Sequence, residues 1–261
     1  MSAITIIRHS AGNALADLRA TYTWKTWTFG WLGRMLAQVT FFTYLGQAVG
    51  GGQTGFLVIG NAVMTSVIEV LSVVASTTWE RMTGTLVLLA AAPARPLWVF
   101  FGRSVQWPIS GSGTSLVALF GLGPLFGVHW PVWQIAPVVA LVLLNAFATY
   151  CFGLFLAALV LNAPGVRNLV SQSAYLLMMA ICGVQIPLDR WPAAVGVIAR
   201  GLPLTHGLAA IRAVAADGAP ATVLAELGWT VLTGAAWLAA AYVAFDKFMD
   251  RAKRSGAADH F

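Results

Sequence analysis

The chain has 261 residues, of which 59% are hydrophobic and 9% charged, with a formal net charge of +6. A soluble domain carries about 25% charged residues and hides its apolar surface under a polar coat, so this composition excludes an ordinary water-soluble fold and points to helices in lipid. The positive charge is spread along the chain instead of being gathered in one patch, which argues against a nucleic-acid partner and for anionic lipid headgroups.

The apolar run after Met1 is short and gives way to polar sequence through Arg19 and Lys25. It does not read as a cleavable signal, so the first spanning helix is expected to stay in the chain. Residues 22–34, YTWKTWTFGWLGR, set Trp24, Trp27 and Trp31 on one helix face, with Lys25 and Arg34 away from it or at its end. Tryptophan favours the headgroup zone, so an amphipathic helix lying in the cytoplasmic interface is expected here. The alternative is an aromatic belt at the start of a long first helix.

A spanning helix needs about 20 mostly apolar residues. On that length, six spans are predicted: Trp31–Val49, closed by the glycines at Gly50–Gly52, then Phe56–Ser76, Leu97–Leu119, Val138–Leu161, Leu169–Ile186 and Ala221–Phe245. The third is the least regular, with Pro108 and the run SGSGTS inside it. Six spans put both termini on one side. Twelve Lys and Arg fall on that side and three, Arg190, Arg200 and Arg212, on the other, so both termini are expected to be cytoplasmic.

Two apolar segments are too broken to span. Residues 79–93 begin polar with Glu80 and Arg81, continue as a short apolar stretch and stop at Pro93, with Pro96 beyond. A short helix parallel to the membrane fits them, and such a loop is a candidate docking element for a soluble partner. Residues 191–214 hold two prolines, three glycines, two arginines and His206. They predict two short helices on the outer face, broken near Gly201–Pro203.

Glu69 is an acid inside a span, where a charge is costly and usually faces protein, a partner or a water path. Asn61, about two turns earlier, is expected to share its face and extend a polar strip. Asn145 and Gln172 read as inward-pointing groups that glue helices together, with a substrate contact as the sharper alternative. Phe41, Phe42, Tyr44 and Phe56 either line an apolar path or simply fill the bundle. His206 lacks a serine–acid arrangement around it and reads as structural. Glu226 reads as a solvated end residue of the last span. Cys151 and Cys182 read as packing residues, and no ligand cluster suggests a metal.

The run WERMTGTLVLLAAAP resembles the E-x-x-G-T-L…P signature of ABC-2 type transporter permeases, carried by Glu80, Gly84, Thr85, Leu86 and Pro93. The stretch GLPLTHGLAAIRAV resembles the family's second hallmark before the last span, carried by Pro203, Leu204, Thr205, His206, Gly207 and Arg212. One departure is Val87, which stands where the family often has a glutamate. The resemblance covers nearly the whole chain. It implies a single all-α polytopic transmembrane domain over residues 1–261: six spans, an interfacial helix at 22–34, a cytoplasmic coupling helix at 79–93 and broken extracytoplasmic helices at 191–214.

It also implies a dimer with a second permease copy or a related permease, each subunit docked on a cytoplasmic ABC ATPase in a bacterial inner membrane. Glu80, Arg81, Gly84, Thr85, Leu86 and Pro93 would then couple to the ATPase. Trp24, Trp27 and Trp31 would mark the interfacial helix, and Pro203, Thr205, His206 and Arg212 would cap the outer side. Glu69, Asn61, Asn145, Phe41 and Tyr44 would be candidates for the translocation path. The cargo implied is an amphiphilic drug, an antibiotic or a lipid-linked molecule, with polysaccharide or glycolipid export as the alternative.

The chain itself carries no Gly-rich phosphate loop with its lysine, so no catalysis and no bound cofactor are expected on it. ATP and Mg would sit on the partner. The rivals are an ion-coupled secondary transporter, which would use Glu69, a membrane-embedded enzyme, and a purely structural subunit.

Overall fold

The computed structural model describes residues 3–21, 23–48, 54–82, 96–161 and 163–254, and every regular element among them is helical. The Gly50–Gly52 segment, all of Gly84, Thr85, Leu86 and Pro93, and the side chains of Glu80 and Arg81 lie outside the described part.

Helix α1 (Ala3–Thr21) buries Ile6 and Ala14 and exposes Ile4. It packs on α5 (Pro96–Ser104) where Gly102 leaves room: a Cβ there would stand 2.6 Å from the Ser10 Cβ and 2.8 Å from the Ile7 carbonyl. Beyond it, Thr26–Leu32 forms π-helical turns that pass straight into α2 (Gly33–Ala48), with the Gly33 N–H bonded to the Thr28 carbonyl. The free-standing interfacial helix expected over 22–34 is therefore corrected: no proline interrupts the chain between Trp24 and Ala48, and the segment is the start of a long first helix. The separate N-terminal helix is α1, to which the sequence reading had assigned no structure.

Helices α3 (Thr54–Val70) and α4 (Ser72–Met82) follow one another across Leu71, whose carbonyl accepts the Ser171 hydroxyl at 3.3 Å. Between α5 and α6 (Gln106–Val117) the chain breaks at Val105 because Pro108 has no N–H and its ring crowds the carbonyl four residues back, that of Ser104. The helix then loosens into π turns at Ala118–Leu122 and tightens through Gly123–Phe126 before Gly127, at φ 83°, turns the chain. The loosening frees the Leu119 carbonyl, which accepts the Trp130 indole N–H at 3.1 Å.

Helix α7 (Val132–Val160) is the centre of the bundle, packed against α4, α6, α10 (Pro203–Ala215) and α11 (Pro220–Arg254). At one end of the core Tyr150, Phe100 and Phe245 are fully covered, the two phenylalanine rings stacked at 5.1 Å. Helix α8 (Arg167–Ile181) stops earlier than the expected Ile186, because Gly183 takes φ 79° and the chain leaves the helix. Helix α9 (Ala193–Arg200) then meets α10 at 89°. Pro203 at the first position of α10 pushes Leu202 into the extended region, which enforces the break.

Among the described residues, four helices are long and apolar enough to cross a membrane: Thr54–Thr78, Pro96–Phe126, Val132–Val160 and Pro220–Phe248. The bent α9–α10 pair makes up to five. These four match the second, third, fourth and sixth expected spans. The expected first span corresponds to α2, which with the turns before it runs unbroken from Trp24 to Ala48, and the expected fifth to α8, of 15 residues, shorter than a bilayer crossing by itself.

Candidate functional site

The first polar centre lies where α3 meets α6. Gly111 brings the helices so close that a Cβ would stand 2.9 Å from the Ser66 carbonyl and 3.2 Å from the Glu69 Cβ. The SGSGTS run, irregular by sequence, is thus a small-residue seam of the kind that lets membrane helices touch. It also supplies the partners of Glu69. Thr114 donates its hydroxyl to the buried Glu69 carboxyl, and Ser110 and the Trp31 indole face the same group, the indole N–H outside hydrogen-bond geometry. Trp27 donates to the Ser110 hydroxyl at 3.4 Å. Hydroxyls and indoles surround this carboxyl, so it faces protein. The tryptophan trio is split: Trp27 turns toward Ser110 of α6, Trp31 toward Glu69 of α3, and Trp24 stays 69% exposed.

Asn61 belongs to a different centre. Its Oδ1 accepts from Gln185 Nε2 at 2.8 Å, and its own amide N–H donates to the Leu57 carbonyl at 2.9 Å. The polar strip expected to join Asn61 and Glu69 is therefore corrected. Eight residues carry Asn61 about 12 Å up the helix axis, and the two side chains meet different neighbours, the segment after α8 and helix α6. Gln185 was not singled out by sequence, and Ser110 only as part of the SGSGTS run; a polar residue within an apolar run was the available signal.

Asn145 is fully buried at the crossing of α7 and α10, lying against Gly207 with no hydrogen-bond partner for either amide atom. Gln172, Phe41 and Tyr44 point out of the subunit, the two aromatics 61% and 60% exposed. Gln38 of α2 and Tyr175 of α8 are joined by a hydrogen bond.

The second motif builds the bend. Thr205 Oγ1 donates to the Ala199 carbonyl at 2.5 Å and the Trp237 indole to the Gly201 carbonyl at 2.8 Å, so both sides of the break are held. His206 contacts Glu226 and the Arg200 carbonyl. Glu226, expected to be a solvated helix end, is instead a partner across the α10–α11 turn. Arg212 reaches the Gly183 carbonyl at 2.7 Å and the Phe56 carbonyl at 2.8 Å, with its guanidinium 3.4 Å from the Phe56 ring centroid. It ties α10, the start of α3 and the turn after α8 into one unit.

Residues 14–215 match the family described as ABC-2 type transporter, and this range takes in well over half of the chain. The chain belongs to the ABC-2 type transporter family. No curated protein matches it. As an ABC-2 type chain it is a multi-pass, permease-like membrane protein, and the matched range contains the Glu69 centre, the 79–93 segment and the α9–α10 bend. Among the described residues, no group of three or more His, Cys, Asp or Glu is placed to hold a metal ion.

Proposed function

We propose that this chain is the permease subunit of an ATP-driven exporter, one six-span transmembrane domain over residues 1–261 that works as a dimer on cytoplasmic ABC ATPase subunits. The observation that carries the reading is the family match over 14–215, which spans both quoted motifs. The 79–93 stretch begins in the last turn of α4 and leads toward α5, and it carries Arg81, with Arg95 just beyond it, as the start of α8 carries Arg167. The positive-inside rule puts these basic residues on the cytoplasmic side. Glu80, Arg81, Gly84, Thr85, Leu86 and Pro93 then form the coupling segment that seats in the ATPase. Helix α1, amphipathic and packed against α5, takes the interfacial role first assigned to 22–34.

The work of such a chain is mechanical. ATP closes the partner subunits, the 79–93 segment carries the movement to α4 and α5, and these helices continue in the chain into α3 and α6, which meet at the Glu69 centre. Transport becomes directional when the inward-facing state binds cargo better than the outward-facing one. The exposed aromatics of α2, Phe41 and Tyr44, suit an apolar path shared with a second copy, and the cargo class they favour is an amphiphilic drug, antibiotic or lipid-linked molecule. In this reading the chain sits in a bacterial inner membrane with both termini inside, and ATP and Mg stay on the partner.

The test is co-purification of the full chain with its candidate ATPase subunit from lipid nanodiscs. Wild type should hold the ATPase through size exclusion. Glu80→Arg should lose most of it while keeping its own elution position. Glu69→Gln should retain the ATPase and change the response of turnover to amphiphilic drugs. Retention of the ATPase by Glu80→Arg at wild-type level would remove the coupling role from this segment.

A further inference from the structure

The His206 ring has its two nitrogens against two acceptors. Nε2 lies 3.0 Å from the Arg200 carbonyl oxygen, which only accepts, so Nε2 carries a proton. Nδ1 lies 2.7 Å from Glu226 Oε2, a separation that a lone pair on each side does not tolerate. One further proton therefore resides between them, on the imidazole as an ion pair or on the carboxyl as a neutral pair. Withdrawing it forces a choice: with Nε2–H kept, Nδ1 repels the carboxylate; with the proton moved to Nδ1, Nε2 repels the Arg200 carbonyl.

We propose that His206 and Glu226 form a proton-binding site that clamps the α9–α10 bend to α11, and that loss of its proton releases the clamp. The clamp spans three elements: the carbonyl belongs to the end of α9, the imidazole to the first turns of α10, and the carboxyl to α11. The Trp229 ring lies over the imidazole at a centroid distance of 5.9 Å and an interplanar angle of 23°, limiting its freedom to turn away. The side chains are 10% and 29% exposed, so the proton exchanges with water through Glu226.

The other groups around the site do not substitute for the pair. From α7 the neighbour of this turn is the uncharged Asn145 at Gly207. Arg212, further along α10, is engaged with the carbonyls of Gly183 and Phe56. Arg200 belongs to an exposed position and offers its carbonyl to the ring. No part of the inference depends on the ATPase partner or the cargo, so it stands or falls apart from the exporter reading.

The substitution Glu226→Gln distinguishes this site from a merely structural contact. The glutamine amide N–H donates to a neutral Nδ1 while Nε2–H keeps the Arg200 carbonyl, so the variant holds the clamp without the extra proton. The probe is a nitroxide pair at Val197→Cys and Leu224→Cys, both exposed, in the full chain with Cys151→Ala and Cys182→Ala, in nanodiscs.

Electron–electron distances are then read between about pH 5 and pH 9, the range over which imidazoles change charge. Wild type should gain a longer-distance population as pH rises, and Glu226→Gln should keep the short one throughout. An unchanged wild-type distribution, or the same pH response in Glu226→Gln, would overturn the proposal. Ring ¹⁵N spectra of wild type provide a readout free of substitutions at the site, with His206→Asn used for assignment: His206 should carry a proton on Nε2 at the acid end, and an unprotonated Nε2 there also overturns it.

Discussion

Replacing Arg212 by alanine is expected to lower the stability of the folded chain by about 2–5 kcal/mol. The guanidinium is the donor for the Gly183 and Phe56 carbonyls, at 2.7 and 2.8 Å. Gly183 lies in the non-helical turn after α8, where φ is 79°. The Gly183 carbonyl, outside any helix, is left without a donor at about 1–3 kcal/mol, the Phe56 carbonyl keeps its helical N–H and loses its second donor, and the cation over the Phe56 ring is lost as well. Removing a buried charge gives part of this back, since desolvating a guanidinium is itself unfavourable. The Gly183 carbonyl decides the sign, because no methyl or methylene replaces its donor. Arg212→Lys should fall between wild type and alanine: it keeps the charge, but a single ammonium does not reproduce the fork that reaches two elements at once. Thermal unfolding followed by size exclusion in detergent measures the order. Equal midpoints for wild type and Arg212→Ala would show that α10 is held by packing alone.

Gly207→Ala should be nearly as damaging, for a steric reason. The added Cβ would lie 2.2 Å from Asn145 Oδ1 and 2.7 Å from the Asn145 Cβ. Asn145 is fully buried and has nowhere to move, so α7 and α10 must separate at a cost of about 1–3 kcal/mol or more. The clash predicts its own suppressor. Asn145→Ala should restore part of the loss in the Gly207→Ala background by removing the amide, and Asn145→Gly should relieve the remaining Cβ contact at about 1 kcal/mol of helix propensity. A double-mutant cycle on the same unfolding assay reads the coupling. Additive losses would mean that the two residues do not meet as described.

Much of the architecture was legible because long apolar runs in a membrane protein have few alternatives. The runs beginning near Phe56 and Ala221 have flanks that fix their ends, and the structure places helices over them at Thr54–Thr78 and Pro220–Phe248. The break near Gly201–Pro203 was legible from chemistry, since proline restricts the residue before it whatever the surroundings.

Other features depend on contacts between distant residues. The spacing of Trp24, Trp27 and Trp31 fits an α-helical face, and nothing local announces the π turns from which Trp27 and Trp31 reach the Glu69 centre. The SGSGTS run looked like a defect in a span until α3 was beside it with Glu69. Glu226 looked solvated because its partner, His206, is twenty residues earlier and reaches it only after the chain turns back. Asn61 and Glu69 share a helix but meet different neighbours, which a helical wheel with no surroundings does not separate. The 79–93 segment, where the sequence is most informative about a partner, is read from its motif alone.

The most direct measurement is ATP-driven movement of a fluorescent amphiphile in proteoliposomes holding this chain, with and without its ATPase subunit. The account predicts accumulation that needs both chains and ATP, fails with either chain alone, and is not produced by a proton gradient in place of ATP. Transport by this chain alone, driven by an ion gradient, would contradict it and make the buried Glu69 centre the coupling site of a secondary transporter.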